Sequence, residues 1–481
     1  MKPILIFTAL FVFNFQLLIA QPGSLDLSFN VGVGTGANDL VFTTAIQSDG
    51  KIIIGGQFTT YNGMQRDCIS RLNTDGTLDL SFNPGAGAND TLYSPIINTT
   101  AIQSDGKIII GGHFITYNGT TSNYIARLNT NGTLDLSFNS GIGASWDIGT
   151  IAIQSDGKII IGGSFTTYNG TGRNHIARLN TDGTLDLSFN PGLGVGGGIV
   201  GGLSTTAIQS DGKIIIGGDF STYNGTSRNN IARLNTDGTL DLSFNPGTGA
   251  DGYVYTTAIQ NNGKIIIGGV FLSYNGIGRN YIARLNTDGT IDISFNPGTG
   301  ASDHIYTTSF QSDGKIIIGG NFNSYNGTSK NYIARLNTDG SLDLSFNSIL
   351  GAAVETIAIQ SDGKIIIGGD FTTFNGTSKK YITRLNCNNN TGINEFDLEN
   401  SISITPNPAT TSINISLALP SPETVSLSLY NPLGQIIAQQ TLKDANGNVK
   451  TAMDVSQFPA GLYFLSVKGA GWSRNEKIIR N

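Results

Sequence analysis

Seven near-copies of one stretch constrain what this chain can fold into. The first, SDGKIIIGGQF, runs from Ser48 to Phe58 and the last from Ser361 to Phe371. Their Gly-Gly pairs begin at residues 55, 111, 162, 217, 268, 319 and 368, at spacings of 49 to 56 residues. Repetition at such a period means that each copy is one supersecondary unit that buries its apolar faces only by stacking on its neighbours. Most of the 481 residues therefore build one body, and a second domain must fit behind it.

One unit, Phe42 to Phe82, predicts four short antiparallel strands. FTTAIQ and KIIIGGQF are rich in β-branched residues and are joined by Ser48-Asp49-Gly50, a three-residue hairpin loop with glycine last. That register sets Phe42 opposite Gly56. Tyr61-Asn62-Gly63 turns the chain into CISRLN, and Thr74-Asp75-Gly76 reverses it into TLDLSF. Counting outward from that turn sets Arg71 opposite Asp79, and the same offset recurs up to Arg335 and Asp343. A charge pair repeated in every unit is a structural device; such cross-strand pairs contribute roughly 0.2 to 1 kcal/mol each.

Four-stranded units repeated seven times predict an all-β protein, a seven-bladed β-propeller. The ends of the array predict that its ring closes. A first LDLSFN copy, Leu25 to Asn30, precedes the first unit, whereas the seventh unit stops after YITRLN. Inserting Leu25 to Asn30 into the last blade removes both free edges and pairs Arg384 with Asp26. An open solenoid would need polar capping repeats, and neither end looks like one. DGKIIIGG followed by F, YNG, IARLN and TDGTLDLSFN resembles the bacterial delta-60 propeller repeat over residues 25 to 387, and more distantly kelch, without the later kelch tryptophan. The resemblance implies a fold more than an activity.

Where the copies disagree, a binding surface is expected. The residue after Gly-Gly reads Gln57, His113, Ser164, Asp219, Val270, Asn321 and Asp370, and the one opening the first strand reads Phe42, Asn98, Gly149, Ser204, Tyr255, Tyr306 and Glu355. Both positions lie at one end of the inner strands, with the variable loops between blades, and function usually sits on such loops. The candidate ligand-binding residues are His113, Trp146, Asp219, Tyr255, His304, Tyr306 and Asp370, with Tyr93 and Tyr253 as further aromatics. Arg66, Arg173, Arg228, Arg279, Lys330 and Lys379 lie in the loops after these turns. Aromatics flanked by polar groups suit carbohydrate or peptide. Asp219, Asp370 and Glu355 with His113 form the one acid group that could be catalytic.

Other features narrow the field. Charged residues are 13% and the net charge is -6, so no basic surface for nucleic acid is expected. Residues 1 to 20, with Lys2, an apolar run and Ala20, read as a secretory signal peptide cleaved before Gln21, and no other stretch could span a bilayer. Cys68 and Cys387 are expected as free thiols. The Asn73 to Asp79 run lacks the closing glutamate of a calcium loop. His113, His175 and His304 occupy three different repeat positions, so no metal site or cofactor is expected.

Repetition ends at Asn386, and residues 388 to 401 read as a linker. Residues 402 to 481 alternate in short strands, ISITPNP, SINISLAL, VSLSLYNPLG, QIIAQQTL, KTAMDVS, GLYFLSVKG and KIIRN, which predict a small immunoglobulin-like β-sandwich. Pro406-Asn407-Pro408, Leu429-Tyr430-Asn431 with Gly434, and Asp454-Val455-Ser456 leading to Gly461-Leu462-Tyr463 resemble the type A sorting domain of type IX secretion. That resemblance implies the type IX machinery as partner and a secreted or outer-surface location. The function expected is a non-catalytic binding or adhesion scaffold. The alternatives are a polysaccharide-active enzyme, which would need an asymmetric acid or histidine cluster on the variable face, and a purely structural surface protein.

Overall fold

A computed structural model describes residues 21–29, 36–198, 202–387, 402–432, 434–469 and 472–481. The expected signal peptide, the linker 388–401 and Asn30 lie outside them. The chain forms two compact units divided after Asn389. No helix of the described residues is long and apolar enough to cross a membrane.

The first unit is a seven-bladed propeller. Its inner strands are Val41–Ile46, Ile96–Ile102, Ile148–Ile153, Gly202–Ile208, Val254–Ile259, Ile305–Phe310 and Val354–Ile359. Each pairs with an IIIGG middle strand, which pairs with a short outer strand such as Ile69–Leu72. The IIIGG segment of each middle strand is buried throughout, so it carries isoleucine on both faces rather than an alternation. One glycine of every pair sits where two blades meet. A β-carbon on Gly55 would lie 2.7 Å from Ile97 Cγ2, and one on Gly368 would lie 2.7 Å from Val41 Cγ1, which carries the contact from blade seven to blade one.

Two expectations need correction. The fourth strand is a single bridge, Leu72 to Leu78, after which the chain turns. Asp79 causes this: its Oδ1 accepts from Ser81 N at 2.9 Å and from Ser81 Oγ at 2.7 Å, a local turn that competes with the ladder. Nor does Phe42 face Gly56. Val41 pairs with Gly56 and Thr43 with Gly55, so Phe42 stands on a bulge.

The repeated arginine is a hub between blades. Arg71 Nε donates to Asp79 Oδ2 at 2.7 Å, its Nη1 donates to the Thr130 carbonyl of the next blade, and its guanidinium lies 5.0 Å from the Phe82 ring centre. Arg384 does the same at the seam: it donates to Asp26 Oδ2 at 2.7 Å and to the Thr74 carbonyl at 2.6 Å, over the ring of Phe29. Leu25 bridges Leu385 in the place that Leu78 takes beside Leu72.

The second unit carries strands Ile402–Thr405, Ser412–Tyr430, Ile436–Asp454, Gly461–Gly469 and Trp472–Arg480 in one connected ladder around a core that includes Ile413, Leu427, Leu429 and Leu465. The sequence reading splits SINISLAL from VSLSLY and QIIAQQTL from KTAMDVS. In the structure each pair is one 19-residue strand, with register shifts at Leu419/Glu423 and Glu423/Val425 where the first pair was expected to divide.

Candidate functional site

The bulge found at Phe42 recurs in every blade and always on the variable residue. Asn98, Gly149, Ser204, Tyr255, Tyr306 and Glu355 each stand between the two register positions where the pairing slips. The second glycine of each pair makes the bulge possible. A β-carbon on Gly56 would overlap the Leu40 carbonyl oxygen, and one on Gly269 the Tyr253 carbonyl oxygen. Only glycine lets the bulged backbone cross so closely. The invariant doublet therefore aims the variable side chain, because a bulge redirects the residue it carries.

A third variable position meets these two. Cys68, Tyr124, His175, Asn230, Tyr281, Tyr332 and Tyr381 precede the outer strands with φ of 63° to 68°, a left-handed conformation that bulky side chains rarely adopt. Each is pinned from both sides: Tyr124 N donates to the Phe114 carbonyl at 2.8 Å, and the Tyr124 carbonyl accepts from Gly112 N at 3.2 Å. The sequence reading missed this position. Its signal was present, since the residue before the outer strand changes from copy to copy while the isoleucine that follows it and the later Arg-Leu-Asn do not.

The candidate residues collect into two aromatic clusters. In the first, His113 has Tyr93, Tyr124 and Trp146 around it, with ring centres at 5.3, 5.8 and 5.6 Å and steep interplanar angles. His113 Nδ1 lies 2.5 Å from Asp147 Oδ1, and its Nε2 is 3.6 Å from Asp90 Oδ2. Burial pushes the Asp147 carboxyl above its usual range against the opposing pull of His113. The carboxylates against His113 are thus Asp147 and Asp90, two acids that the sequence reading did not single out. Trp146 and Tyr93 remain 45% and 60% exposed, so this cluster offers ring surface to solvent.

The second cluster spans blades five and six. Tyr255 lies 6.4 Å from Tyr253, 6.3 Å from His304 and 5.7 Å from Tyr306, and Tyr281 lies 5.9 Å from His304. Burial first, then the neighbouring Tyr253, Asp219 and Glu355, raise the Tyr255 hydroxyl; burial and Glu355 push Tyr306 to about 12. Glu355 itself is pushed up to about 7 by burial and by Asp370. Asp219 thus acts on Tyr255, Glu355 on both Tyr255 and Tyr306, and Asp370 on Glu355, which places carboxylates beside the second cluster.

The cations behave less uniformly than their spacing suggests. Lys330 is not a surface residue: it is buried and its Nζ donates to the Phe346 carbonyl at 2.5 Å. Arg66, Arg173, Arg228 and Arg279 each turn back toward their own chain; Arg66 Nη1, for example, donates to the Gln65 carbonyl at 2.7 Å. Cys68 and Cys387 are buried and form no disulfide, and burial pushes the Cys68 thiol up to about 12. Among the described residues no group of three or more His, Cys, Asp or Glu is arranged to hold a metal.

Residues 47–82, 103–138, 154–189, 209–244, 260–295, 311–346 and 360–388 match the model of a family described as a domain of unknown function (DUF5122) beta-propeller. Residues 403–481 match the secretion system C-terminal sorting domain. No curated protein matches the chain. Among solved structures, a glycoside hydrolase family 43 arabinoxylan arabinofuranohydrolase from Bacillus subtilis is 10% identical over 95% of each chain, with a TM-score of 0.26. A second glycoside hydrolase is also 10% identical, over 92% of this chain and 97% of its own, with a TM-score of 0.25. TM-scores this low carry no activity across to this chain.

Proposed function

The chain belongs to the DUF5122 beta-propeller family and ends in a secretion system C-terminal sorting domain, and from that premise we propose that it is a non-catalytic binding or adhesion scaffold. Its sorting domain directs it through type IX secretion to the cell surface or beyond. Residues 1–20 act as the signal peptide, 21–387 as the binding propeller and 388–401 as the linker. Residues 402–481 are an immunoglobulin-like sorting module.

The observation that carries this reading is the second aromatic cluster. Four rings from two adjacent blades stand together, each redirected or flanked by a bulge, with carboxylates beside them. Rings and polar groups at a propeller mouth suit a sugar or a peptide, which stacks apolar faces and donates hydrogen bonds at its edges. A glycan-array and peptide-array screen of the full-length chain tests it. Binding that is lost in Tyr255→Ala and Tyr306→Ala supports the reading; no retained ligand, or binding unaffected by both changes, refutes it.

A second reading, a polysaccharide-active enzyme, draws on Glu355 and Asp370. A carboxyl held near neutrality beside a second carboxylate is a general-acid arrangement. His113 adds little to it, because its Nε2 is buried and its Nδ1 is taken by Asp147. Turnover of a bound polysaccharide that disappears in Glu355→Gln, with binding kept, favours the enzyme.

A further inference from the structure

The sorting motifs are engaged inside the C-terminal unit. Asn407 Nδ2 donates to the Lys477 carbonyl at 2.6 Å, and its Oδ1 accepts from Ile479 N at 2.9 Å. Ala409 N donates to the Ile479 carbonyl at 2.7 Å. Arg480 donates from Nε and Nη2 to the carbonyls of Val455 and Ser456 at 3.1 and 3.2 Å. The Tyr463 hydroxyl donates to the Pro459 carbonyl at 2.7 Å. Two of the three motifs thus hold the last strand, Trp472–Arg480, in register, and their polar groups are used in doing so. A partner must read something that this register displays.

What it displays is an apolar stripe. Ile436 pairs with Tyr430, Tyr430 with Phe464, and Phe464 with Lys477; two residues along, Leu462 pairs with Ile479. Directly opposed residues share a face of the sheet, so these side chains form one band across four strands. The alternate residues Leu429, Leu465 and Ile478 are at most 1% exposed and fill the core. Ile436, Phe464 and Ile479 are 53%, 42% and 39% exposed, and they are the exposed large hydrophobics of this unit among its described residues. All of them fall on this one band. Apolar side chains gathered on one exposed face mark an interaction surface.

We propose that this stripe is the surface by which a protein of the secretion machinery docks the chain. The partner offers an apolar groove with a carboxylate facing Lys477, since no acidic residue occupies the stripe's register positions. The inference rests on the sorting-domain assignment, which supplies the partner, and on the motif hydrogen bonds, which fix the strand that carries Ile479 and Lys477.

The test uses the full-length chain in a host with this secretion system. It compares Phe464→Ser with Ile479→Ser, the conservative Phe464→Leu with Ile479→Leu, and removal of residues 402–481. The exported fraction and the melting of the purified full-length chain are both measured. The polar pair is expected to lower the exported fraction by about tenfold or more, as loss of a central apolar anchor does, with melting unchanged and the conservative pair exported. Normal export of the polar pair overturns the proposal, and so does loss of export that tracks loss of melting in both pairs. A wild-type dimer that becomes a monomer in the polar pair also overturns it, in favour of a second copy of the chain. Export of the chain lacking residues 402–481 would instead remove the sorting assignment; retention of that chain alongside export of the polar pair removes only the stripe.

Discussion

Arg384 Nε and Asp26 Oδ2 meet at 2.7 Å across 358 residues of sequence, and this pair joins the two ends of the propeller. Both side chains are buried, and Lys364 Nζ adds a second cation 3.1 Å from the same oxygen. Removing one partner of a buried pair leaves the other charge unpaired, which costs about 3 to 5 kcal/mol. Asp26→Ala is therefore expected to lower the propeller's melting temperature clearly. Removing residues 21–29 should lower it further, because Phe29 and the Leu25 bridge go with it. Calorimetry of the two variants checks this, and an unchanged transition would mean that the seam does not hold the ring.

The same carboxylate makes the ring acid-sensitive. Burial acts to raise Asp26, but hydrogen bonds from Ser28, then Lys364 and Arg384, outweigh it and hold the group at about 2. A depressed carboxylate contributes stability that is present above its unfolded value and is lost as pH falls through its folded value. Asp79, Asp135, Asp186, Asp241, Asp292 and Asp343 are lowered in the same way. Melting temperature should hold above pH 4 and fall steeply toward pH 2. A flat profile over that interval would contradict the assigned hubs.

Glu355 has the opposite sign. Its folded value of about 7 lies above the ordinary 4.5, so the folded state binds the extra proton and stability declines as pH rises between those values. Glu355→Gln should abolish that decline and stabilise the propeller above pH 7 by roughly 3 kcal/mol. Paired melts of the two proteins at pH 5 and pH 8 give the comparison.

Gly269 tests the link between doublet and bulge. Gly269→Ala drives a β-carbon into the Tyr253 carbonyl, whereas Gly278→Ala meets nothing within 4 Å. The first change should cost about 1 to 3 kcal/mol, as overpacking does, and weaken any ligand held by Tyr255. The second should leave melting within about 0.5 kcal/mol of the parent. Equal behaviour of the two would break the proposed link.

The sequence by itself determined the number of blades, the pairing of Arg71 with Asp79, the outline of the hairpins and the destination written in the C-terminal motifs. These follow from local rules: residue period, turn chemistry and repetition, all of which a linear string preserves. The tertiary structure decided the rest. Counting back from Gly50 extends a regular ladder through Phe42, because nothing in the string says that Leu40 must cross over Gly56. The bulge arises where the chain entering the inner strand crosses the second glycine of its own blade, and it turned a pairing position into an aiming one. Which carboxylates hold His113 was equally hidden. Asp90 and Asp147 lie 23 and 34 residues from it, on loops that come together only when consecutive blades pack around the ring.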